Sequence, residues 1–190
     1  MTISRQVDKS ALRAASRERR RGANPLTGAA LREAALSLPE VDAASCVAAY
    51  VSRMDEPDTG PLIAELGRRG LRILLPVLLP DLDLDWAEDD GPRHRSTVHR
   101  GLSEPSGPPL GPAEIARAGV VFVPALLVDR MGTRLGYGGG CYDRALARVG
   151  ASTLVVALLH DGELTDEPLP AEPHDRRVDV VAMPSGVTRL

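Results

Sequence analysis

The residues best suited to chemistry lie in one glycine-rich stretch, residues 134–144, which reads RLGYGGGCYDR. Glycine occupies four of the five positions 136–140. Lacking a Cβ atom, these positions can adopt positive φ and turn successive N–H groups towards one anion. A helical pattern follows over residues 142–149, so the loop leads into a helix N-terminus, which also favours an anion. We expect a phosphate-binding loop, with an exposed flexible turn as the alternative on glycine content alone.

Asp143 falls in the first turn of that helix and has two interpretations. Its carboxylate could cap the helix by accepting a backbone N–H bond, or it could hold a Mg²⁺ ion that bridges phosphate oxygens. The stretch matches neither G-x-x-x-x-G-K-[S/T] nor the dinucleotide fingerprint G-x-G-x-x-G in its βαβ setting. Both interpretations remain open at this point.

A basic stripe lies near the N-terminus, on a first helix that begins at an Asp8 or Ser10 cap and runs to about Arg21. The stripe consists of Lys9, Arg13 and Arg17. Their i, i+4, i+8 spacing places them on one face of the helix. The stripe is either a solvated surface, accompanied by an arginine cluster at 19–21 near the C-terminal dipole, or a phosphate clamp.

The elements that must position these groups alternate between helices and strands. Helices are predicted at about 8–21, 27–38, 61–69, 113–118 and 142–149, with strands at 43–51, 71–79, 120–124, 153–159 and 178–183 and an exposed edge strand at 81–90. A helix break at 22–25 and a solvated strand or loop at 92–99 are also expected. This alternation indicates a mostly parallel sheet covered by helices. Ligands gather at the carboxyl ends of such strands, so the polar segment 52–59 is either a site wall or a capping loop.

Composition narrows the class of protein. The chain has 190 residues, 43% hydrophobic and 26% charged, with a net charge of −3. This length suits one domain over residues 1–190, and the charge implies no polyanionic partner. An aromatic content of 3% disfavours a single-strand nucleic-acid binder. No apolar run is long enough to span a bilayer. Cys46 and Cys141 are far apart and are expected to be free thiols, so we expect a cytoplasmic protein that binds neither nucleic acid nor membrane.

Four islands in register resemble the 5-formyltetrahydrofolate cyclo-ligase family, also called methenyltetrahydrofolate synthetases. They are Lys9-x-x-x-Arg13, the block DEPDT at 55–59, the glycine stretch at 134–144, and His174-Asp175 followed by VDVV at 178–181. The chain differs from some relatives at two loop positions. Cys141 stands where an aromatic residue is frequent, and Gly139 where lysine occurs.

This resemblance implies a single-domain three-layer α/β sandwich of the ribose-phosphate isomerase and CoA-transferase-like type. It implies ATP- and Mg²⁺-dependent closure of 5-formyltetrahydrofolate to 5,10-methenyltetrahydrofolate, by a monomer or weak dimer. Catalysis would fall to Lys9, Arg13 and Arg134. ATP would meet those three residues and Leu135, Gly136, Tyr137, Gly138, Gly139, Gly140, Cys141 and Tyr142. The reduced folate would meet Val51, Glu56, Tyr137, Gly138, Gly139, Gly140 and Cys141. Mg²⁺ would be held by Asp143 and Asp175.

Two other functions are compatible with the sequence alone. One is a sugar-phosphate isomerase or CoA-transferase-like enzyme on the same fold, which would need no ATP. The other is a non-catalytic protein that binds nucleotide or folate through the same loop. A nucleophilic Cys141 is disfavoured, because the family reaction needs no covalent enzyme intermediate and no histidine lies near Cys141 in sequence.

Overall fold

A computed structural model describes residues 8–21, 27–53, 55–91, 102–172 and 175–190, and the backbone of 93–95. The helix break expected at 22–25, most of the segment 92–99, and His174 lie outside these ranges. In the part of the chain that is described, no helix has the length and apolarity needed to cross a membrane.

The α-helices are short and surround the sheet. They are α1 (Lys9–Arg20), α2 (Gly28–Leu36), α3 (Pro39–Ala43), α4 (Gly60–Arg68) and α5 (Cys141–Leu146), with a 3₁₀ helix at Pro112–Arg117. The start of α1 is fixed by Asp8, whose side chain accepts a hydrogen bond from the Ser10 backbone N–H at 2.8 Å. This arrangement is the N-cap expected from the sequence.

The strands form one large sheet and two small ones. They are β1 (Cys46–Ala48), β2 (Arg72–Leu78), β3 (Leu84–Glu88), β4 (Arg93–Arg95), β5 (Ser103–Pro105), β6 (Val120–Pro124), β7 (Leu127–Asp129), β8 (Arg134–Leu135), β9 (Leu154–Leu158), β10 (Leu164–Thr165), β11 (Val180–Met183) and β12 (Gly186–Arg189). The large sheet has the order β12-β11-β9-β6-β1-β2-β3. Its inner pairs are parallel, while β3 and β12 join the two edges antiparallel.

Most of the described core lies in two apolar layers, one on each face of the large sheet, and a smaller cluster surrounds Leu126 and Leu135. On one face, Leu31 of α2 and Leu62 of α4 pack with Phe122 of β6. On the other face, Ile115 of the 3₁₀ helix and Leu146 of α5 belong to the second layer. Alternate side chains of the inner strands thus enter opposite layers, as a sheet buried on both faces requires. The predicted α/β class with a mostly parallel sheet is confirmed; the domain span 1–190 stays a prediction.

Several predicted boundaries were wrong in informative ways. The apolar run at 43–51 gives only the short strand β1, since its first residue belongs to α3 and residues 49–51 follow the end of the strand. The helix predicted at 142–149 begins at Cys141 and ends at Leu146, and the segment 113–118 is a 3₁₀ helix. The segment 81–90 does supply an edge strand, but Trp86 in it is fully buried rather than exposed. Strand β12, which pairs with β11 as a hairpin, was missed.

Candidate functional site

The glycine loop crosses from β8 to α5 at the rim of a cavity of about 540 Å³. Two of its glycines adopt positive φ, Gly138 at 108° and Gly140 at 68°. Gly140 is the N-cap of α5, and no side chain caps this helix end. The backbone of the loop therefore needs glycine at these two positions, as the sequence predicted.

The basic stripe of α1 lies against this loop. Arg13 donates from Nε to the Gly136 carbonyl oxygen at 2.9 Å, and Arg17 donates from Nη2 to the Tyr137 carbonyl oxygen at 3.3 Å. Together with Lys9, these two arginines line the cavity. The stripe is thus in contact with the loop, and the interpretation as a purely solvated face was wrong.

The arginine cluster expected at the end of α1 needs a correction at one position. Arg20 is only 4% exposed and forms an ion pair with Glu163 at 2.7 Å. Its side chain points towards the same interior as Ser16, one helical turn earlier, which is also buried. The neighbouring Arg19 and Arg21 remain exposed, so the cluster is solvated only in part.

Two carboxylates line the cavity beside the loop. Asp143 forms an ion pair with Arg134, whose side chain is 5% exposed. Asp175 accepts a hydrogen bond from the Glu172 backbone N–H at 2.8 Å. Among the described hydrogen bonds, the Asp143 carboxylate is bonded to Arg134 and to no backbone N–H of α5, which does not support the capping interpretation. No cluster of three or more histidine, cysteine or acidic side chains capable of holding a metal occurs among the described residues.

These two carboxylates still fit a magnesium ion that arrives with a nucleotide. Asp143 and Asp175 border the same cavity as the glycine loop and the basic stripe. Mg²⁺ commonly keeps several waters and takes one or two carboxylates plus phosphate oxygens, rather than a cage made entirely by protein. The donor set is therefore of the right kind for a nucleotide-borne ion.

Another part of the cavity lining comes from the segment after β1. Glu56 lies there with 9% exposure, and its carboxylate accepts a hydrogen bond from the Arg53 backbone N–H at 2.8 Å. Burial raises the pKa of the Glu56 carboxyl above its ordinary value. The neighbouring Val51 also lines the cavity. The segment is therefore a cavity wall as well as a connection to α4.

Two phenol groups add polar atoms to this cavity. The hydroxyl groups of Tyr50 and Tyr142 are buried and have no hydrogen-bond partner within the described structure. Burial, together with the nearby Glu56 carboxylate, raises the pKa of both phenols. A buried polar group without a partner costs free energy, so such groups commonly face a ligand or water. Tyr50 was missed at the sequence level because it reads as the end of an apolar strand.

An apolar wall completes the cavity and was also missed. It is built by Pro76, Leu78, Leu82, Leu84 and Leu102. Leu82, in the β2–β3 turn, has φ 67° and is 43% exposed. Its carbonyl oxygen accepts from Arg144 Nη2 at 2.6 Å, and the same nitrogen contacts the Gly139 carbonyl oxygen at 3.0 Å. The pairing of β2 with β3 brings this wall to the loop, which no local sequence pattern reveals.

Cys141 lies at the loop end of the cavity and is half-buried. Burial raises the pKa of its thiol, as it does for the buried Cys46. A thiol with a raised pKa is mostly protonated at neutral pH and is a poor nucleophile. The geometry therefore favours a packing role for Cys141.

Every residue predicted for the site borders this one cavity. The set comprises Lys9, Arg13, Val51, Glu56, Arg134, Leu135, Gly136, Tyr137, Gly138, Gly139, Gly140, Cys141, Tyr142, Asp143 and Asp175. They come from segments that are far apart in sequence. The arrangement brings a basic helix face, loop backbone, two carboxylates, a buried glutamate and an apolar wall to one cavity.

The chain matches the 5-formyltetrahydrofolate cyclo-ligase family over residues 5–184. A 5-formyltetrahydrofolate cyclo-ligase of Mycolicibacterium smegmatis is 44% identical over 151 residues, which cover 76% of this chain and 76% of the relative. One from Escherichia coli is 34% identical over 182 residues, which cover 90% of this chain and 97% of the relative.

Two solved structures share the fold. A 5,10-methenyltetrahydrofolate synthetase of Aquifex aeolicus superposes with a TM-score of 0.75 and 29% identity, covering 96% of this chain and 92% of that one. One from Mycoplasma pneumoniae gives a TM-score of 0.70 at 18% identity, covering 92% of this chain and 98% of that one, and supports the fold alone.

Proposed function

The chain belongs to the 5-formyltetrahydrofolate cyclo-ligase family, and we propose that the cavity beneath its glycine loop is where it performs the family reaction. That reaction is the ATP-dependent closure of 5-formyltetrahydrofolate to 5,10-methenyltetrahydrofolate, with release of ADP and phosphate. One observation carries the proposal. A single cavity is bordered both by phosphate-binding elements and by a buried carboxylate suited to a heterocycle.

The nucleotide side is proposed to consist of the α1 stripe and the loop. Lys9 and Arg13 lie on the helix face towards the cavity, and the Arg13 contact with Gly136 holds that face against the loop backbone. Arg134, which also lines the cavity, adds a third cation. Cations and backbone N–H groups set in advance around a phosphate are the main catalytic resource in phosphoryl transfer.

The proposed reaction needs no covalent bond between the protein and its substrates. The formyl oxygen attacks the γ-phosphorus of ATP, and the bond from that phosphorus to the bridging oxygen breaks to release ADP. The formyl carbon then carries a phosphate as leaving group. The neighbouring folate nitrogen attacks that carbon, the C–O bond breaks to release phosphate, and the nitrogen loses its proton. Lys9, Arg13 and Arg134 would hold the phosphate in line and neutralise its charge.

Asp143 and Asp175 are proposed to hold Mg²⁺ through carboxylate oxygens. The ion would supply charge neutralisation to the phosphates when it is bound. Asp143 already contacts Arg134, so the cation at Arg134 and the magnesium-binding carboxylate lie side by side.

The folate side is proposed to consist of Val51, Glu56 and the apolar wall. A buried carboxylate can accept paired hydrogen bonds from the amino-pyrimidine edge of a pterin, whose donors match an anion. The unpartnered hydroxyls of Tyr50 and Tyr142 offer further polar contacts. Residues 137–141 of the loop line the same cavity, and we propose that they contact both substrates.

The remaining parts of this proposal concern assembly and compartment. The two cysteines are free in the structure, which suits a reducing cytoplasm. We propose a cytoplasmic enzyme that acts as a monomer or weak dimer. Neither alternative function, the isomerase or transferase nor the non-catalytic binder, is favoured by the relatives found.

An absorbance assay for the methenyl product tests the proposal directly. Purified protein is mixed with 5-formyltetrahydrofolate and magnesium, with and without ATP. We expect product only when ATP is present, with stoichiometric ADP. Product without ATP, or nucleotide binding without product, would contradict the proposed reaction.

A further inference from the structure

Arg20 makes the most extensive set of buried polar contacts on α1. Its Nε and Nη2 donate to the two carboxylate oxygens of Glu163, each at 2.7 Å, and Nη2 also donates to the Ala125 carbonyl oxygen. Both side chains of the pair are at most 5% exposed. A two-point pair of this kind fixes the plane of the guanidinium as well as its position.

Glu163 is itself held from other directions. Its carboxylate accepts from the His160 backbone N–H at 2.9 Å, and its own carbonyl oxygen accepts from the Val128 N–H at 3.0 Å. The carboxylate that receives Arg20 is therefore anchored to the main body of the fold, between β9 and β7. Arg20 in turn attaches the C-terminal end of α1 to that anchor.

The remaining nitrogen of Arg20 reaches the glycine loop. Its Nη1 donates to the hydroxyl oxygen of Tyr137 at 2.6 Å. The ring of Tyr137 also lies 4.5 Å from the Arg53 guanidinium and 5.7 Å from that of Arg17, within cation–π range. Tyr137 thus connects α1, the glycine loop and the segment after β1 that contains Arg53.

We propose that Arg20, oriented by Glu163, is a positioning residue that fixes the glycine loop against the basic face of α1 through the phenol of Tyr137. The consequence for ATP rests on the proposed function. Arg20 would contact no substrate, but the separation between the Arg13 guanidinium and the loop backbone would depend on it. A loop held at Tyr137 presents the N–H groups that follow it at a fixed distance from the basic stripe.

The first test needs no ligand. Amide hydrogen exchange of the 134–144 segment is measured in the ligand-free protein for Arg20→Lys and Tyr137→Phe. Lysine keeps the charge but cannot bond both Glu163 oxygens and the phenol together, and phenylalanine removes only the hydroxyl. We expect several-fold faster exchange in the loop in both variants. Unchanged exchange in both would overturn the positioning role.

The matched control is Arg21→Lys. Arg21 follows Arg20 directly, and its side chain is 77% exposed in a pair with Glu18. This variant should leave loop exchange at the wild-type rate. Faster loop exchange in Arg21→Lys as well would mean that any change at this helix end loosens the loop, and would overturn the assignment to Arg20.

The second test measures the effect on ATP. The KM for ATP should rise about tenfold in each variant, the scale of one hydrogen bond to a charged group, while kcat at saturating ATP changes less. In its KM for ATP the double variant should come close to the single ones, because the bond between Arg20 and the Tyr137 phenol is lost in each of them. If thermal stability falls while the KM for ATP is unchanged, the pair of Arg20 and Glu163 only stabilises the fold, and the positioning role is wrong. If the wild type makes no methenyl product, the proposed function fails, and the exchange result still decides the positioning role.

Discussion

Gly138→Val is expected to disable nucleotide binding through the loop geometry. Gly138 has φ 108°, and a Cβ atom added there would lie 3.4 Å from Cζ and 3.5 Å from Nε of Arg13. The branches of valine would extend further and press on this guanidinium, which donates to the Gly136 carbonyl oxygen at 2.9 Å. The substitution therefore strains the loop and displaces a proposed phosphate ligand together.

The two effects have different sizes and different readouts. Forcing a β-branched residue into this region of φ should cost about 1–3 kcal/mol of folding stability. Displacing Arg13 should cost about 1.5–3 kcal/mol of binding free energy, the scale of a hydrogen bond to a charged group. The affinity for Mg-ATP should then fall about 10- to 150-fold.

Gly111→Val is the matched control. Gly111 has φ 101°, close to that of Gly138, and a Cβ atom added there meets no described atom within 4 Å. It precedes the 3₁₀ helix and does not border the cavity. This variant should lose similar stability in thermal unfolding but keep the wild-type Kd for Mg-ATP in calorimetry. Equal affinities for the two variants would refute the reasoning.

Three further outcomes are expected. Glu56→Gln should raise the KM for folate about tenfold and leave that for ATP unchanged. Burial raises the pKa of Glu56 in the folded state, so the wild type should lose stability as pH rises from about 4.5 through that pKa. Glutamine does not titrate, so urea unfolding of the variant should show no such loss of stability. Asp143→Asn should raise the magnesium concentration needed for activity. It should also lower stability by about 1–3 kcal/mol, because it leaves Arg134 buried without its anion. Asp166→Asn, in an exposed pair with Arg130, should have neither effect. Cys141 should be alkylated slowly at neutral pH and faster in mildly alkaline buffer, because its thiol pKa is raised; rapid labelling at pH 7 would contradict the inferred packing role.

The sequence predicted those parts of the fold that local pattern determines. The run at Val120–Pro124 is apolar, β-branched and short, and it is the buried strand β6 in the middle of the sheet. The spacing of Lys9, Arg13 and Arg17 predicted a common helix face, which follows from helical geometry alone. Where one physical rule determines the conformation of a segment, the prediction made from its local sequence agrees with the structure.

Other features depend on partners that are distant in sequence. Arg20 was read with its neighbours as a cluster near a helix end, because three successive arginines look alike until the position of Glu163 is known. Asp143 was open to a capping role until Arg134 was seen beside it. The apolar wall needs the β2–β3 pairing to exist, and a leucine with φ 67° is not indicated by any local pattern.

The long sequence separations within the site also affect how the chain folds during its synthesis. Arg13 contacts a residue 123 positions further on, and Arg20 pairs with one 143 positions further on. Helix α1 therefore leaves the ribosome long before its partners do, and closing such large loops is slow. Its basic face has no contact with the glycine loop until residues 136 and 137 have been made, and Arg20 has no carboxylate partner until Glu163 has been made. If the proposed function holds, a half-made chain has no complete nucleotide site, so ATP would stabilise only chains that are nearly finished.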